Sequence, residues 1–301
     1  MDVRHLALLR ELAERGSVTA VAAATHRTGS AVSQQLRTAE RDLGVRLVEP
    51  AGRGLRLTDA GRLLADGAVE VESALARVEA RLDEFRGRPT GLVRIGALTS
   101  AAEFLVPPVL APLAASGIDV ELSDTDVSEV DYAALTADLD VVIGHSLLSG
   151  VPRGAEHLVR SVLAREPLDV ALPADHPLAG RAHLSPRDVV DEPWVSVPVG
   201  YPFAAVLEDV ERVAGRPVRV VHRIRDNRVV EALVAEGVGL ALLPRFTTRP
   251  GEGVVLRPLH GVNARRWVVA MSRPDRAERA VVRRVVAALE AVGRREGADT
   301  A

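Results

Sequence analysis

The sequence predicts an α/β protein built from a small helical N-terminal unit, one long helix and a larger α/β region. Three patterns predict it. Apolar residues first recur at helical spacing and then alternate within residues 1–58. Steps of four and three link apolar positions from Leu64 to Phe85. Beyond Gly91, short apolar runs alternate with helical ones.

In the first unit, Leu6, Leu9, Leu12 and Ala13 mark a helix that Gly16 and Ser17 break. Ser17 or Thr19 can cap a short, Ala-rich helix over 19–25. A brief turn at His26 and Arg27 follows. Thr28 is placed to cap a third helix, which runs to Leu43 and stops at Gly44. Two helices joined by so short a turn fit a helix-turn-helix.

The third helix has two faces. Val32, Leu36, Ala39 and Leu43 share one. Ser30, Ser33, Gln34, Arg37 and Arg41 share the other. Gln pairs with adenine, Arg with guanine, and Ser with phosphate or base edges. An enzyme site would want a titratable base here, and none is present. Residues 1–58 carry nine Arg against six acids, within a chain of net charge −3. That local excess suits a DNA-binding module. An ordinary solvated amphipathic helix is the alternative.

Residues 45–58, VRLVEPAGRGLRLT, alternate, turn and alternate again. This is a hairpin with a basic tip, and a hairpin after a helix-turn-helix makes a winged helix. Arg53 at the tip can reach phosphate or a minor groove, or simply sit in solvent.

At this point the chain resembles the N-terminal domain of LysR-type transcriptional regulators. The resemblance rests on Gly16-Ser17, Ala22, Ser30-Ala31-Val32-Ser33, Gln35-Leu36, the ERDLGVRL block, Gly52-Arg53 and Leu57-Thr58-Asp59-Ala60-Gly61. It implies that Thr28, Ser30, Ser33, Gln34, Arg37, Arg41 and Arg53 contact promoter or operator DNA. Five positions depart from the family pattern. Thr25 stands in place of Leu, Arg27 of an apolar residue and Gly29 of Gln or Pro. Val48 replaces an aromatic and Pro50 an Arg. Thr25 should leave the small core underfilled, and Gly29 should weaken the helix start.

Next, Leu64, Ala68, Val71, Leu75, Val78, Leu82 and Phe85 repeat every 3.5 residues on average, as in a coiled-coil seam. One helix over 58–86 would be about 43 Å long. An isolated helix with this stripe uncovered is unstable, so either a second copy or the chain's own body must cover it. The resemblance implies a linker helix at 59–88 that pairs subunits into a homodimer or homotetramer. Paired reading helices favour a roughly palindromic site. RGRPTG at 86–91 marks the exit.

The remainder reads as strands LVRIGA, IDVELS, LDVVIG, DVALP, PWVSVP, VRVVHRI, VGLALLP and RRWVVAMS. Helices are expected at EFLVPPVLAPLAA, 132–137, 203–214, 227–237 and the C-terminus. This alternation predicts parallel sheets covered on both faces, with ligands beyond the strands' carboxyl ends. Polar residues follow the strands: Thr99 and Ser100, Asp124 and Thr125, His145 and Ser146, and residues 196–201. Helix capping or solvation would explain each one singly.

The resemblance continues through LDVVIG, PADHPLAG, DEPWV and EGVGLALLP. It implies a C-terminal domain at 92–295 with two Rossmann-like lobes, similar to periplasmic solute-binding proteins. The first lobe takes 92–162 and 268–295, and the second takes 163–267. A small-molecule effector is then expected at Thr99, Ser100, Thr125, His145, Ser196 and Val197. His145 would hold an acidic effector if protonated, though a lone His is commonly structural.

Other classes find less support. The eight His show neither HxH nor HExxH spacing, and there is no GxSxG or Walker-type loop. The carboxylates at 124–126 read as a turn. The chain has no Cys, which removes disulfides, thiolate catalysis, zinc-thiolate sites and thiol redox sensing. All 38 basic residues are Arg, which fits GC-rich codon usage. The start, MDVRHLALLRELAERG, lacks an apolar signal core, and no apolar run approaches ~20 residues. The expectation is a cytoplasmic regulator, not an enzyme, without metal or cofactor. Its expected partners are double-stranded DNA, a small effector, its own copies and RNA polymerase, with no membrane.

Overall fold

The computed structural model describes residues 2–52, 54–87, 89–125, 127–249, 251 and 253–298. Local chemistry sets the first elements. Helix α1 (Val3–Arg15) starts at Asp2, whose carboxylate accepts from the Arg4 N–H, and ends at Gly16 in the left-handed region. Helix α2 (Val18–Ala24) is capped by Ser17 and helix α3 (Gly29–Leu43) by Thr28. Strands β1 (Val48–Ala51) and β2 (Gly54–Leu57) pair antiparallel, with Val48 opposite Leu57. Leu9, Val21, Val32, Leu36, Ala39 and Leu47 form the shared core, each almost wholly buried. The winged helix-turn-helix expected from the sequence is therefore present. Arg53 at the hairpin tip lies outside the described residues.

Helix α4 (Asp59–Phe85) is capped by Thr58 and passes close under the hairpin. A Cβ at Gly61 would collide with the Leu47 carbonyl oxygen, so glycine permits that approach. The helix buries its small side: Ala65, Ala68, Ser73, Ala76 and Ala80. These pack against α1 and against a short helix near the C-terminus. Of the heptad stripe only Ala68 is buried, and Leu64 and Val71 are half-buried. Leu75, Val78, Leu82 and Phe85 are exposed, Phe85 by 89%. The chain's own body thus takes the alanine face and leaves most of the leucine stripe uncovered.

The C-terminal region opens with β3 (Gly91–Ala97), α5 (Thr99–Leu105), α6 (Pro107–Ala115), β4 (Ile118–Asp124), α7 (Tyr132–Leu135) and β5 (Val141–Ser146). Strand β3 pairs parallel with both β4 and β5. Then comes β6 (Val159–Pro173), a fifteen-residue strand that serves both lobes. The second lobe continues with α8 (Pro186–Val189), β7 (Pro193–Ser196), α9 (Pro202–Ala214), β8 (Arg219–Arg223), α10 (Asn227–Ala235), β9 (Ala241–Pro244) and β10 (Val254–Pro258). The chain returns along β11 (Arg265–Ser272) to α11 (Pro274–Ala277) and α12 (Ala280–Ala298).

The sheet is mixed rather than purely parallel. Its order is β10-β6-β11-β5-β3-β4, with β9 also on β6. Strand β11 runs antiparallel to both β5 and β6, and β9 and β10 run antiparallel to β6. The long β6 runs from one lobe into the other, and β11 brings the chain back into the first lobe's sheet between β5 and β6, so no helical crossover sets those directions. Leu163 and Ala164 of β6 pack into the first core and Leu168 into the second. No helix among the described residues is long and apolar enough to cross a membrane.

Candidate functional site

Two surfaces carry chemistry. On α3, Ser30, Gln34, Arg37 and Arg41 are exposed and Ser33 is half-buried. Thr28 is exposed too; its hydroxyl accepts from the Ala31 N–H and touches the Ser30 hydroxyl at 3.0 Å. Gln35, next to this face, is spent inside the domain. Its amide donates to the Arg4 carbonyl at 2.7 Å and its oxygen accepts from Arg27 at 2.6 Å. Arg27, unexpected in this position, thereby gains a partner. Thr25 does not leave a sealed void: its hydroxyl donates to the Val21 carbonyl at 2.7 Å. It lines an open groove of about 710 Å³ between α1, α2 and α3.

The second surface is a cleft of about 600 Å³ between the lobes. Of the six residues anticipated there, Thr99, Ser100, His145 and Val197 line it. Thr125 does not. Its hydroxyl is buried without a hydrogen-bond partner among the described residues, packed against Gly96. Ser196 is also buried, and it lines a small void behind Phe203 instead of the cleft itself.

The floor of the cleft is built around a residue that was not anticipated. Arg266, at the start of β11, is fully buried beside an equally buried Glu166 of β6. Its Nε donates to Glu166 Oε2 at 2.7 Å. Its Nη2 lies 2.6 Å from the same oxygen, as an ion-pair contact without hydrogen-bond geometry. The other carboxylate oxygen accepts from the Phe246 N–H at 2.7 Å. Burial pushes the Glu166 carboxyl above its usual range, although Arg266 pulls the other way. The outer nitrogen, Nη1, donates to Ser100 Oγ at 2.9 Å and approaches His145 Nδ1 at 3.3 Å. Burial, and then the charge of Arg266, holds the His145 imidazole well below its ordinary value of 6.5. His145 is therefore neutral at pH 7, and the protonated form expected to hold an acid is not available there.

The walls are aromatic and charged. The Arg266 guanidinium sits 5.6 Å from the Phe203 ring centre, and Arg225 sits over Tyr201, donating to its hydroxyl at 3.0 Å. Arg228 of α10 reaches across the cleft to Glu103 of α5 at 2.5 Å and also meets Glu231. Thr99 donates to Asp124 at 3.1 Å. A signal for Arg266 was present in the sequence. In RRWVVAMS, strand alternation puts Arg266 on the face of Val268 and Ala270, where a charge must find a partner.

Residues 86–294 match the LysR substrate binding domain, and residues 3–62 match the bacterial regulatory helix-turn-helix protein, lysR family. The chain belongs to the LysR family. As a LysR-family protein it is a DNA-binding transcriptional regulator with a domain for small-molecule effectors. The HTH-type transcriptional regulator TtuA of Agrobacterium vitis is 31% identical over 268 residues, covering 82% of this chain and 84% of its own. The transcriptional dual regulator GltC of Bacillus subtilis (strain 168) is 28% identical over 249 residues, 82% of each chain. Among solved structures, a Corynebacterium glutamicum OxyR C206 mutant superposes with a TM-score of 0.59 at 23% identity. It covers 99% of this chain and 95% of that one. This LysR-family chain has no cysteine at all, so none of its residues can match the one named there.

Proposed function

We propose that this LysR-family regulator reads its operator with α3 laid in the major groove. Ser30, Ser33, Gln34, Arg37 and Arg41 meet base edges or phosphate, and Thr28 and Arg53 meet the backbone. The observation that carries this is the division of labour on α3. Its neighbouring Gln35 is bonded into the domain, while the Gln34 and Arg37 side chains stand exposed with no hydrogen bond or ion pair to any described residue. Two copies pair through the leucine stripe of α4, as a dimer or within a tetramer. The cleft takes the effector against Thr99, Ser100, His145 and Val197. Its binding shifts the assembly between two arrangements and so changes what RNA polymerase meets at the promoter.

The test is DNase footprinting of the intergenic region upstream of the gene, with Arg37→Ala alongside. Arg37→Ala should weaken binding to the protected sequence by about 1–3 kcal/mol, and more than binding to random DNA. Equal losses on both would make Arg37 a phosphate contact. Absence of any protected sequence would end the reading.

A further inference from the structure

Arg266 makes contacts that constrain the chemistry of the effector. Nε and Nη2 face Glu166, which leaves Nη1 with two hydrogens directed outward. One goes to Ser100 Oγ and the other toward His145 Nδ1. A guanidinium can only donate. Ser100 must therefore accept through its oxygen, and its own O–H is left to point elsewhere. His145 must accept through Nδ1, which puts its single ring proton on Nε2. Neither the Ser100 O–H nor the His145 Nε2–H donates to any described residue, and both residues line the cleft.

We propose that Arg266, from inside the core, sets the hydrogen-bond polarity of the cleft floor: it holds Ser100 and His145 as donors, so the end of the ligand resting on them bears acceptors only. This rests on the cleft being the effector site. A carboxylate or a ketone oxygen satisfies both donors. An ammonium group leaves donor facing donor in a buried place, which is costly. The opposite wall agrees with an anionic end. Arg223 lines the cleft and has no carboxylate partner among the described residues, only the Val197 carbonyl at 3.2 Å. The nearby acids are engaged: Glu103 by Arg228, Asp124 by Thr99, and Asp226 by the α10 N-terminus. Phe203 and Tyr201 supply flat apolar contact for the rest of the molecule.

The experiment uses the full-length chain and three probes of one shape: benzoate, acetophenone and benzylammonium. Solid-state ¹⁵N NMR of histidine-labelled protein, with a His145→Gln difference spectrum for assignment, reads the His145 tautomer. The expected result is an unprotonated Nδ1, perturbed by benzoate and acetophenone. Both should bind at least about tenfold tighter than benzylammonium. Removing Arg266 alone would strand Glu166, so the variant is Arg266→Met with Glu166→Met. There the preference should shrink to within about threefold, because His145 and Ser100 regain both polarities. A proton on Nδ1, equal binding of benzylammonium, an unchanged preference in the double variant, or no binding by any probe would each overturn the assignment. Ser100→Tyr separates the two readings. If benzoate still binds that variant, the cleft itself is not the site; if all three probes are lost after binding without preference, only the polarity assignment falls.

Discussion

Gly29 opens the reading helix, yet nothing around it requires glycine. A Cβ there would meet only Val18 Cγ1 at 3.9 Å, an ordinary contact, and the backbone is not left-handed. Gly29→Ala should therefore stabilise the chain, by about 0.4–1 kcal/mol, through a less entropic unfolded state and better helix propensity. Urea titration checks it, and a loss of stability would mean the site is tighter than its contacts indicate. His145 makes a prediction with a definite sign. Its folded value lies well below 6.5, so below that pH the unfolded chain takes up a proton that the folded chain refuses. Stability should fall as pH drops through about 6.5, by up to about 1.4 kcal/mol per pH unit. His145→Gln should lose this slope between pH 6.5 and 5, as read by urea melts against wild type. Parallel curves for the two proteins would mean that His145 is not held neutral. At this scale the caps were legible in the sequence. Ser17, Thr28, Gly16 and Gly44 act on their immediate neighbours, so short-range chemistry fixes them. Arg266 was not read, because its partners lie 100, 121 and 166 residues away along the chain.

At the scale of elements, α4 carries two different faces. The heptad steps announced an apolar stripe, and that stripe is largely uncovered within the chain. The face that packs on the body is made of Ala and Ser, and its small residues carried little apolar signal in the sequence. Small side chains let α1 and α11 approach α4 closely, while the long ones stay exposed, where the proposed pairing would place a second copy. Val78→Glu with Leu82→Glu touches only exposed positions, 54% and 45%. The chain should keep its melting transition but lose self-association by at least about 100-fold, since two Leu-sized contacts are worth about 1.5–3 kcal/mol each. Sedimentation equilibrium reads the outcome, and an unchanged assembly would place the interface elsewhere. Most strands of the sheet were legible in the sequence, but β10, the first half of β6 and the strand directions were not. Alternation marks where strands lie; it does not say that β6 runs through both lobes or that β11 returns antiparallel between β5 and β6.

At the scale of the molecule, charged contacts join the reading domain to the first lobe, beside the packed alanine face of α4. Buried Arg10 of α1 contacts Glu11, Glu14 and, from α4, Glu72 at 2.6 Å. Buried Arg273 follows β11 directly and reaches Glu14 of α1 at 3.1 Å and Asp275 at 2.8 Å. Arg15 reaches Asp138 of the first lobe at 2.7 Å. Four carboxylates thus surround two buried guanidiniums. Burial raises Glu72 despite Arg10. Burial also works on Asp275, but there Arg273 prevails and lowers it. The same strand carries Arg266 at the cleft floor and ends against the residue that grips α1, about 23 Å away at strand rise. Arg273→Glu puts a fifth carboxylate into this cluster and should release α1 from the lobe. Hydrogen exchange at the α1 and α4 amides that face α11 should quicken, while the β3 and β5 amides stay protected. Adding Glu14→Arg restores an opposite-charge pair at the same place and should recover at least part of the protection. Exchange that is unchanged by Arg273→Glu, or quickened equally with and without Glu14→Arg, would mean that the two domains are held by the alanine face of α4 and not by these charges.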